Sequence, residues 1–537
     1  MITEKKLVGR NARIGPAQTH AGLMALGMAA SLLALPATAA TTPLYAGGVT
    51  LSGLAYRNIF NAYGGTASGD LCAGLTLCPT TPYRSDVEIL YVAVTSTNTA
   101  KAFDAYNPAL FALGNKVPVN PPVASSRDFG PFYGTGTGAS WVPSGTATNY
   151  FPKISFTSGD PMAPLDVTAA TALGFGPPIQ APSLSYSVVI SFAPTATWTP
   201  KNLVPSGGSS RVNLSTNALC GLFTGAITDW SSPEFKATNR NTQLGSGPIT
   251  VVYRHDGAAT TTLLSNALLN QCGTTSHPVS THPVPDQWLA DNAIPNTPPY
   301  VSNTSFFFNV FSKGHLPANF YNNSSFSGVV GGVVTITGMQ EAVDATPGAV
   351  GYLSTDYAPP TATGTDPLGN PIAAAANIQS YASFSTPGAA PKYFPPSAAH
   401  TLSIMKSATP PSFAGGASAP ALNPINWSVI NPAPTDPNAY PIGGFAYFEL
   451  YSCYASATDL DALIGTKAGQ LGLIRWYFGS ATENGNIPAT VLQSQGFNLP
   501  PGSWVAAART LLVTNAFSKI GTPHKANTAC ASIAKGA

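Results

Sequence analysis

Short apolar runs alternate with polar, glycine- and proline-rich stretches along most of the 537-residue chain. The runs "YSVVISFA" (Tyr186–Ala193) and "ITVVYR" (Ile249–Arg254) are dense in β-branched and aromatic residues and read as strands. "LSTNALCGLFTG" places Ala218, Leu219, Leu222 and Phe223 on one helical face. Ser215 or Thr216 stands where a cap would start that helix, and Gly225 where one would end it. "MQEAVDATPG" reads as a short helix and "GSWVAAARTLLVTNAF" as a longer one. Strands alternating with helices predict an α/β fold. Three stretches break the pattern, at about 64–131, 273–325 and 358–440, and read as insertions or long loops.

One alternation carries candidate chemistry. In "VVYRHDGAATTTLL" (Val251–Leu264) an apolar strand ends on Arg254, Gly257 permits a tight turn, and Thr260–Thr262 open a helix. The positive, unbonded N–H end of that helix would face whatever Arg254 addresses, which is a natural anion site. Arginine can grip an oxyanion at two points, and Asp256 stands where it could hold the guanidinium in place. The competing reading is an ordinary strand–turn–helix with a surface Arg–Asp pair. Two further segments favour the anion. "FYGTGTGASW" (Phe132–Trp141) sets Thr135 and Thr137 between glycines, where amides and a hydroxyl converge on an oxyanion. "YFPKISFTSGD" puts Asp160 just past a strand. A carboxylate suits an anion that brings a proton: hydrogen phosphate can donate to it, while sulfate leaves it unpaired.

The N-terminus changes the charge picture. Lys5, Lys6, Arg10 and Arg13 precede an uncharged apolar run from Ala21 to Leu35 and then "PATAA". This reads as a secretory signal peptide over residues 1–40, cleaved near Ala39 or Ala40, and the apolar run is too short for a stable membrane anchor. Of 24 basic and 22 acidic residues, four basic and one acidic fall in this segment, so the remainder is close to neutral. A nucleic-acid partner is not expected of such a chain. Only 9% of residues are charged while 44% are hydrophobic, which is a loop-rich globular composition rather than a disordered one. Six cysteines, Cys72, Cys78, Cys220, Cys272, Cys453 and Cys530, all follow the signal segment and imply three disulfides. Zinc is the alternative, but no CxxC pair or His/Cys cluster supports it.

Segments along most of the chain resemble the phosphate-binding proteins of phosphate ABC transporters, and more closely the exported DING proteins of that superfamily. "GGVTLSGLAY", "GTGTG", "PIQAPSLSYSVVISF", "LSTNALCGLFTGAITDWS", "GMQEAVDATPGAVGYLSTDYA", "YPIGGFAYFELYSCYA" and the tail from "GFNLPPGSWVAAARTLLVTNAFSKIGT" to "NTAC" carry the likeness. The DING tetrapeptide itself is replaced by "PLYA", so the chain is similar to the family without being an orthodox member. The resemblance implies a type II periplasmic-binding architecture: two α/β lobes joined by two crossings, with ligand in the cleft. Lobe 1 would hold residues 41–190 and 441–537, lobe 2 residues 191–440, with crossings near Ser187–Phe192 and Ile442–Phe448. It further implies phosphate contacts from Thr50, the Leu51 backbone, Thr135 (a serine in the family), Asp160 as proton acceptor, and Arg254. Ala258, Ala259, Thr260 and Thr261 would complete the loop, with Asp256 and Thr261 in support. The family has Ser-Gly where this chain has Ala258 and Ala259, a loss of one donor worth about 1–2 kcal/mol. Cys220–Cys272 and Cys453–Cys530 fall at family-like positions, while Cys72–Cys78 lies in the first insertion.

The leading expectation is a monomeric, exported, non-catalytic protein that binds phosphate or a related oxyanion by lobe closure. It would need neither cofactor nor metal, and an ABC-transporter membrane component is a candidate partner. One alternative is a secreted phosphatase of the DING type, for which His255 inside the anion loop is the one tempting acid. The other is an extracellular adhesion or structural protein with a degenerate site.

Overall fold

The structure is a computed structural model. It describes residues 42–49, 52–64, 82–94, 96–107, 153–158, 161–193, 204–206, 209–254, 257–302, 316–322, 329–330, 333–334, 339, 342–343, 345–355, 374–466 and 469–537. Contacts divide the chain into two units, Met1–Ala40 and Thr41–Ala537, and the fold belongs to the second. The signal-peptide segment, and the Cys72–Cys78 loop with it, lie outside the described residues.

Eight segments line up as the main strands: β1 (Thr42–Val49), β2 (Val87–Val94), β3 (Ile154–Ser158), β4 (Ile179–Phe192), β5 (Thr250–Tyr253), β6 (Phe320–Asn322), β7 (Ala349–Ser354) and β8 (Gly443–Leu450). Their order in the sheet is β2-β1-β3-β8-β4-β7-β5-β6, with a ninth two-residue strand, Ala374–Ala375, pairing with β4. β1 runs parallel to both β2 and β3, and β5 runs parallel to both β7 and β6. β8 and β7 run antiparallel to β4. The two parallel groups thus meet on β4, whose first half pairs with β8 and whose last five residues pair with β7.

β4 is longer than its apolar pattern predicts, because Pro182 reads as a breaker in sequence. The chain accommodates it at a bulge: partner register slips between Ala446 and Tyr447, so Ser183 is the extra residue. Bulges are where a strand tolerates proline. The bulged Ser183 is satisfied from afar, its hydroxyl 2.6 Å from Tyr56 Oη and its carbonyl accepting from Tyr477 Oη at 2.9 Å.

Every residue of β4 and β8 is buried, which requires cover on both faces. Helices supply it: α1 (Gly53–Tyr63), α2 (Ser96–Asp104), α3 (Pro164–Ala172), α4 (Thr216–Thr224) and α5 (Ala259–Cys272) lead, with the 502–509 helix and its π-turn extension to Thr514 near the end. On one face Phe156 of β3 packs on Tyr56 and Phe60 of α1 and on Phe448 of β8, at ring separations of 4.6, 5.1 and 4.9 Å. At the start of β8, consecutive glycines meet opposite layers. A side chain on Gly443 would strike Ile404 and the Tyr186 carbonyl, and one on Gly444 would strike Leu263 of α5. The missing side chains let both layers sit directly on the strand.

Two disulfides are present among the described residues. Cys220–Cys272 joins α4 to the last residue of α5, and Cys453–Cys530 ties the end of β8 to the C-terminal segment. The third insertion differs from its sequence reading. From Ala374 to Tyr440 it carries strands, the helices Tyr381–Ser385 and Ala398–Ile404, and three short 3-10 turns. Its helix Ala398–Ile404 covers β4, with Thr401 Oγ1 2.7 Å from Ser187 Oγ. The second insertion likewise holds a helix, Asp286–Asp291.

Candidate anion-binding site

β5 ends at Tyr253 and delivers Arg254, which is only 5% exposed, beyond the last ladder residue. The chain then reaches Gly257 and starts α5 at Ala259, one residue earlier than the threonine run predicts. Ala258 occupies the N-cap in extended backbone and supplies no side-chain cap. The first bonds of the helix run from the Thr261 and Thr262 amides to the Ala258 carbonyl. The amides ahead of them belong to the set that a helix cannot satisfy internally.

A residue that the sequence reading missed pins this corner. Tyr352, fully buried on β7, accepts at its hydroxyl from the Arg254 amide at 3.2 Å and lies 2.8 Å from Thr261 Oγ1. Two bonds of ordinary length to one oxygen hold the end of β5 and the first turn of α5 within about 6 Å of each other. The quoted segment "GAVGYLSTDYA" contains Tyr352, and a hydroxyl in an otherwise apolar buried strand is the signal that marks it.

Thr260 is the chemically exposed member of the turn. It is fully buried, yet its hydroxyl has no hydrogen-bond partner among the described residues. Such an orphan costs about 1–3 kcal/mol unless something outside the chain completes it. Arg254, Ala258, Ala259, Thr260 and Thr261 therefore come together as expected. Thr50, Leu51, Thr135, Thr137, Asp160, His255 and Asp256 lie outside the described residues.

Nearly all of α5 is buried, including its polar residues Thr262, Ser265, Asn266 and Gln271. The insertions provide the cover. The Asn266 side-chain amide donates to the Ser302 carbonyl at 2.7 Å and accepts from the Ser302 N–H at 2.8 Å, and the Asn270 side chain does the same with Tyr300 at 2.8 and 3.1 Å. Gln271 donates to the carbonyls of Pro432 and Pro441. Segments that read as peripheral loops thus fix the helix that presents the site.

A separate carboxyl group set lies toward the other end of the sheet. Asp104 ends α2, and Glu449 of β8 stands opposite Ser155 of β3. Burial pushes the Asp104 carboxyl up to about 9, aided by the charges of Glu449 and Asp166. It is neutral at physiological pH, as a buried acid without a cation should be. Among the described residues, no three His, Cys, Asp or Glu side chains gather as around a metal ion, and no helix is long and apolar enough to cross a membrane.

Residues 190–410 match the family described as the PBP superfamily domain. The chain is 28% identical over 362 residues to alkaline phosphatase L of Pseudomonas aeruginosa (strain UCBPP-PA14), covering 65% of this chain and 70% of that one. It is 27% identical over 369 residues to a phosphate-binding protein from an unknown prokaryotic organism, covering 66% and 78%. Among solved structures, the high-affinity periplasmic phosphate-binding protein PfluDING, bound with phosphate, aligns at a TM-score of 0.55 and 21% identity over 89% of this chain and 96% of that one. At that identity the likeness speaks for the fold, and the DING-type resemblance read from the sequence motifs is borne out. The mixed sheet is that of a type II periplasmic-binding fold.

Proposed function

We propose that the protein binds inorganic phosphate, without chemistry, at the corner formed by Arg254 and the first turn of α5. The observation that carries this reading is the orphaned, fully buried Thr260 hydroxyl at an uncapped helix N-terminus beside a buried arginine. A tetrahedral oxyanion supplies acceptors to the hydroxyl, to the amides of that turn and to the guanidinium together. Relatives named as phosphate-binding proteins support the choice of phosphate. Asp160 takes the proton of hydrogen phosphate in this reading, and Thr50, the Leu51 backbone and Thr135 close over the anion from the other lobe. Lobe 1 is residues 41–190 and 441–537, lobe 2 is residues 191–440, and β4 and β8 carry the crossings. Closure buries the anion among fixed donors. The protein acts as a monomer, exported after signal-peptide cleavage to the periplasm or the cell exterior, where an ABC-transporter membrane component receives its anion.

The test is a calorimetric titration of phosphate, then sulfate, into mature protein stripped of bound anion. Micromolar or tighter phosphate binding with no sulfate heat is expected, and absence of phosphate binding rejects the reading. The relative named alkaline phosphatase L favours one second reading, a phosphomonoesterase using the same anion corner. Turnover of p-nitrophenyl phosphate that survives purification and disappears in Arg254→Ala would select it.

A further inference from the structure

The start of β4 faces a cavity of about 320 Å³ built from three distant parts of the chain. Pro177–Gln180 form one wall, the 3-10 turns of the third insertion around Ala421 and Trp427 a second, and Leu511, Phe517 and Ala529 a third. The cavity is far from the anion corner. Ile179 lines it, whereas Tyr352 pairs with Ile190 of the same strand, roughly 35 Å further along at the usual rise per residue.

The lining contains no charged residue, and its three polar side chains are already engaged. Gln180 accepts from the Met162 amide at 2.7 Å and donates to the Pro424 carbonyl at 3.0 Å and to Ser428 Oγ at 3.1 Å. Ser518 donates to the Leu511 carbonyl at 2.7 Å, and Ser452 to the Pro177 carbonyl. The walls are also fixed. Ser452 and Ala529 flank the two cysteines of the Cys453–Cys530 disulfide. Trp427 is held by its indole N–H on the Ala421 carbonyl at 2.9 Å and by Trp504 at a ring separation of 6.1 Å. Among the lining residues, Phe517 is 52% exposed, a large ring left partly in water.

We infer that this preformed cavity is a second ligand site, independent of the anion corner, for a neutral aromatic molecule of about one or two rings. A charged ligand would find no side chain to pair with and would be penalised on entry. The volume stands at the small end of the range for ligand pockets, about 300–1,000 Å³. Proline rings, Trp427 and Phe517 contribute apolar surface against which an aromatic ring can pack. The third insertion, which reads as a loop in sequence, is in this account the element that completes the site.

The neutral two-ring dye Prodan (6-propionyl-2-dimethylaminonaphthalene), titrated into full-length mature protein by fluorescence, tests it. One saturable equivalent is expected, undisplaced by excess phosphate. Ala417→Trp fills the mouth from an exposed position and is expected to weaken the dye at least tenfold while leaving phosphate titration and melting temperature unchanged. Phe517→Ala, equally exposed, is expected to weaken it severalfold. No saturable signal, displacement by phosphate, or wild-type dye affinity in Ala417→Trp overturns the inference.

Discussion

α4 and α5 are joined by the Cys220–Cys272 disulfide and each begins where a buried strand ends, yet their first turns are finished differently. At α4, Ser215 Oγ accepts from the Ala218 amide at 3.0 Å, and Gln379 accepts from the Thr216 amide at 3.1 Å. Gly225 closes the other end in the left-handed region at φ 75°. Side chains of the protein thus satisfy two of that turn's amides, although the Thr216 hydroxyl is itself buried with no partner among the described residues. At α5 the cap position is Ala258, whose side chain offers no cap, and the Thr260 hydroxyl is buried without a partner among the described residues. In the function proposed above, the missing cap leaves the first amides of α5 to the anion. A capping side chain at 258 would compete for the same amides.

The largest expected effect comes from removing the charge at that corner. Arg254→Ala leaves a buried anion without its cation, and phosphate affinity is expected to fall about a hundredfold or more, close to 3 kcal/mol. Calorimetry reads it directly, and a loss under threefold would move the anion elsewhere.

A third helix end provides a control remote from the site. α2 finishes on Asp104, whose carboxyl burial raises to about 9. A group whose folded-state pKa is raised contributes most below its ordinary value near 3.8 and loses that contribution as pH climbs toward about 9. Denaturant midpoints are therefore expected to fall as pH rises from about 6 to about 9, by up to about 1 kcal/mol per unit, and Asp104→Asn to flatten the slope. Phosphate affinity in that variant should match wild type, and a pH-independent wild-type midpoint would remove Asp104 from the account.

Thr260→Val separates function from stability at α5 itself. Replacing an orphaned hydroxyl by a methyl of the same shape is expected to raise the melting temperature while weakening phosphate about tenfold. If both rise together, the hydroxyl does not meet the ligand. Ser215→Ala, the matching change at α4, should do the opposite: about 1 kcal/mol of stability lost, with phosphate affinity unaltered. Affinity that fell with it would tie the two first turns together.

What the sequence shows of this comparison is what is local. The α4 caps, the strand ending at Arg254 and the helix that follows are legible because each signal lies within a few residues of its effect. Half of β4 is not, because Pro182 looks like a breaker until Tyr56 and Tyr477 are brought to the Ser183 bulge from far along the chain. Nor is the full burial of α5, whose polar residues are satisfied by Tyr300, Ser302, Pro432 and Pro441 from two stretches that read as loops. Tyr352 escapes for the same reason: it is 98 positions from Arg254, and only the sheet brings them together. Composition cannot show that the third insertion is folded, since its prolines and alanines serve equally well in loops and in 3-10 turns.

The most direct measurement is a crystal structure of the mature protein grown with phosphate and, in parallel, with sulfate alone. The account predicts phosphate with its oxygens at hydrogen-bond distance, about 2.7–3.2 Å, from the Arg254 guanidinium, the Thr260 hydroxyl and the first amides of α5, and no sulfate there. Phosphate bound elsewhere, or an empty corner at saturating phosphate, would contradict it.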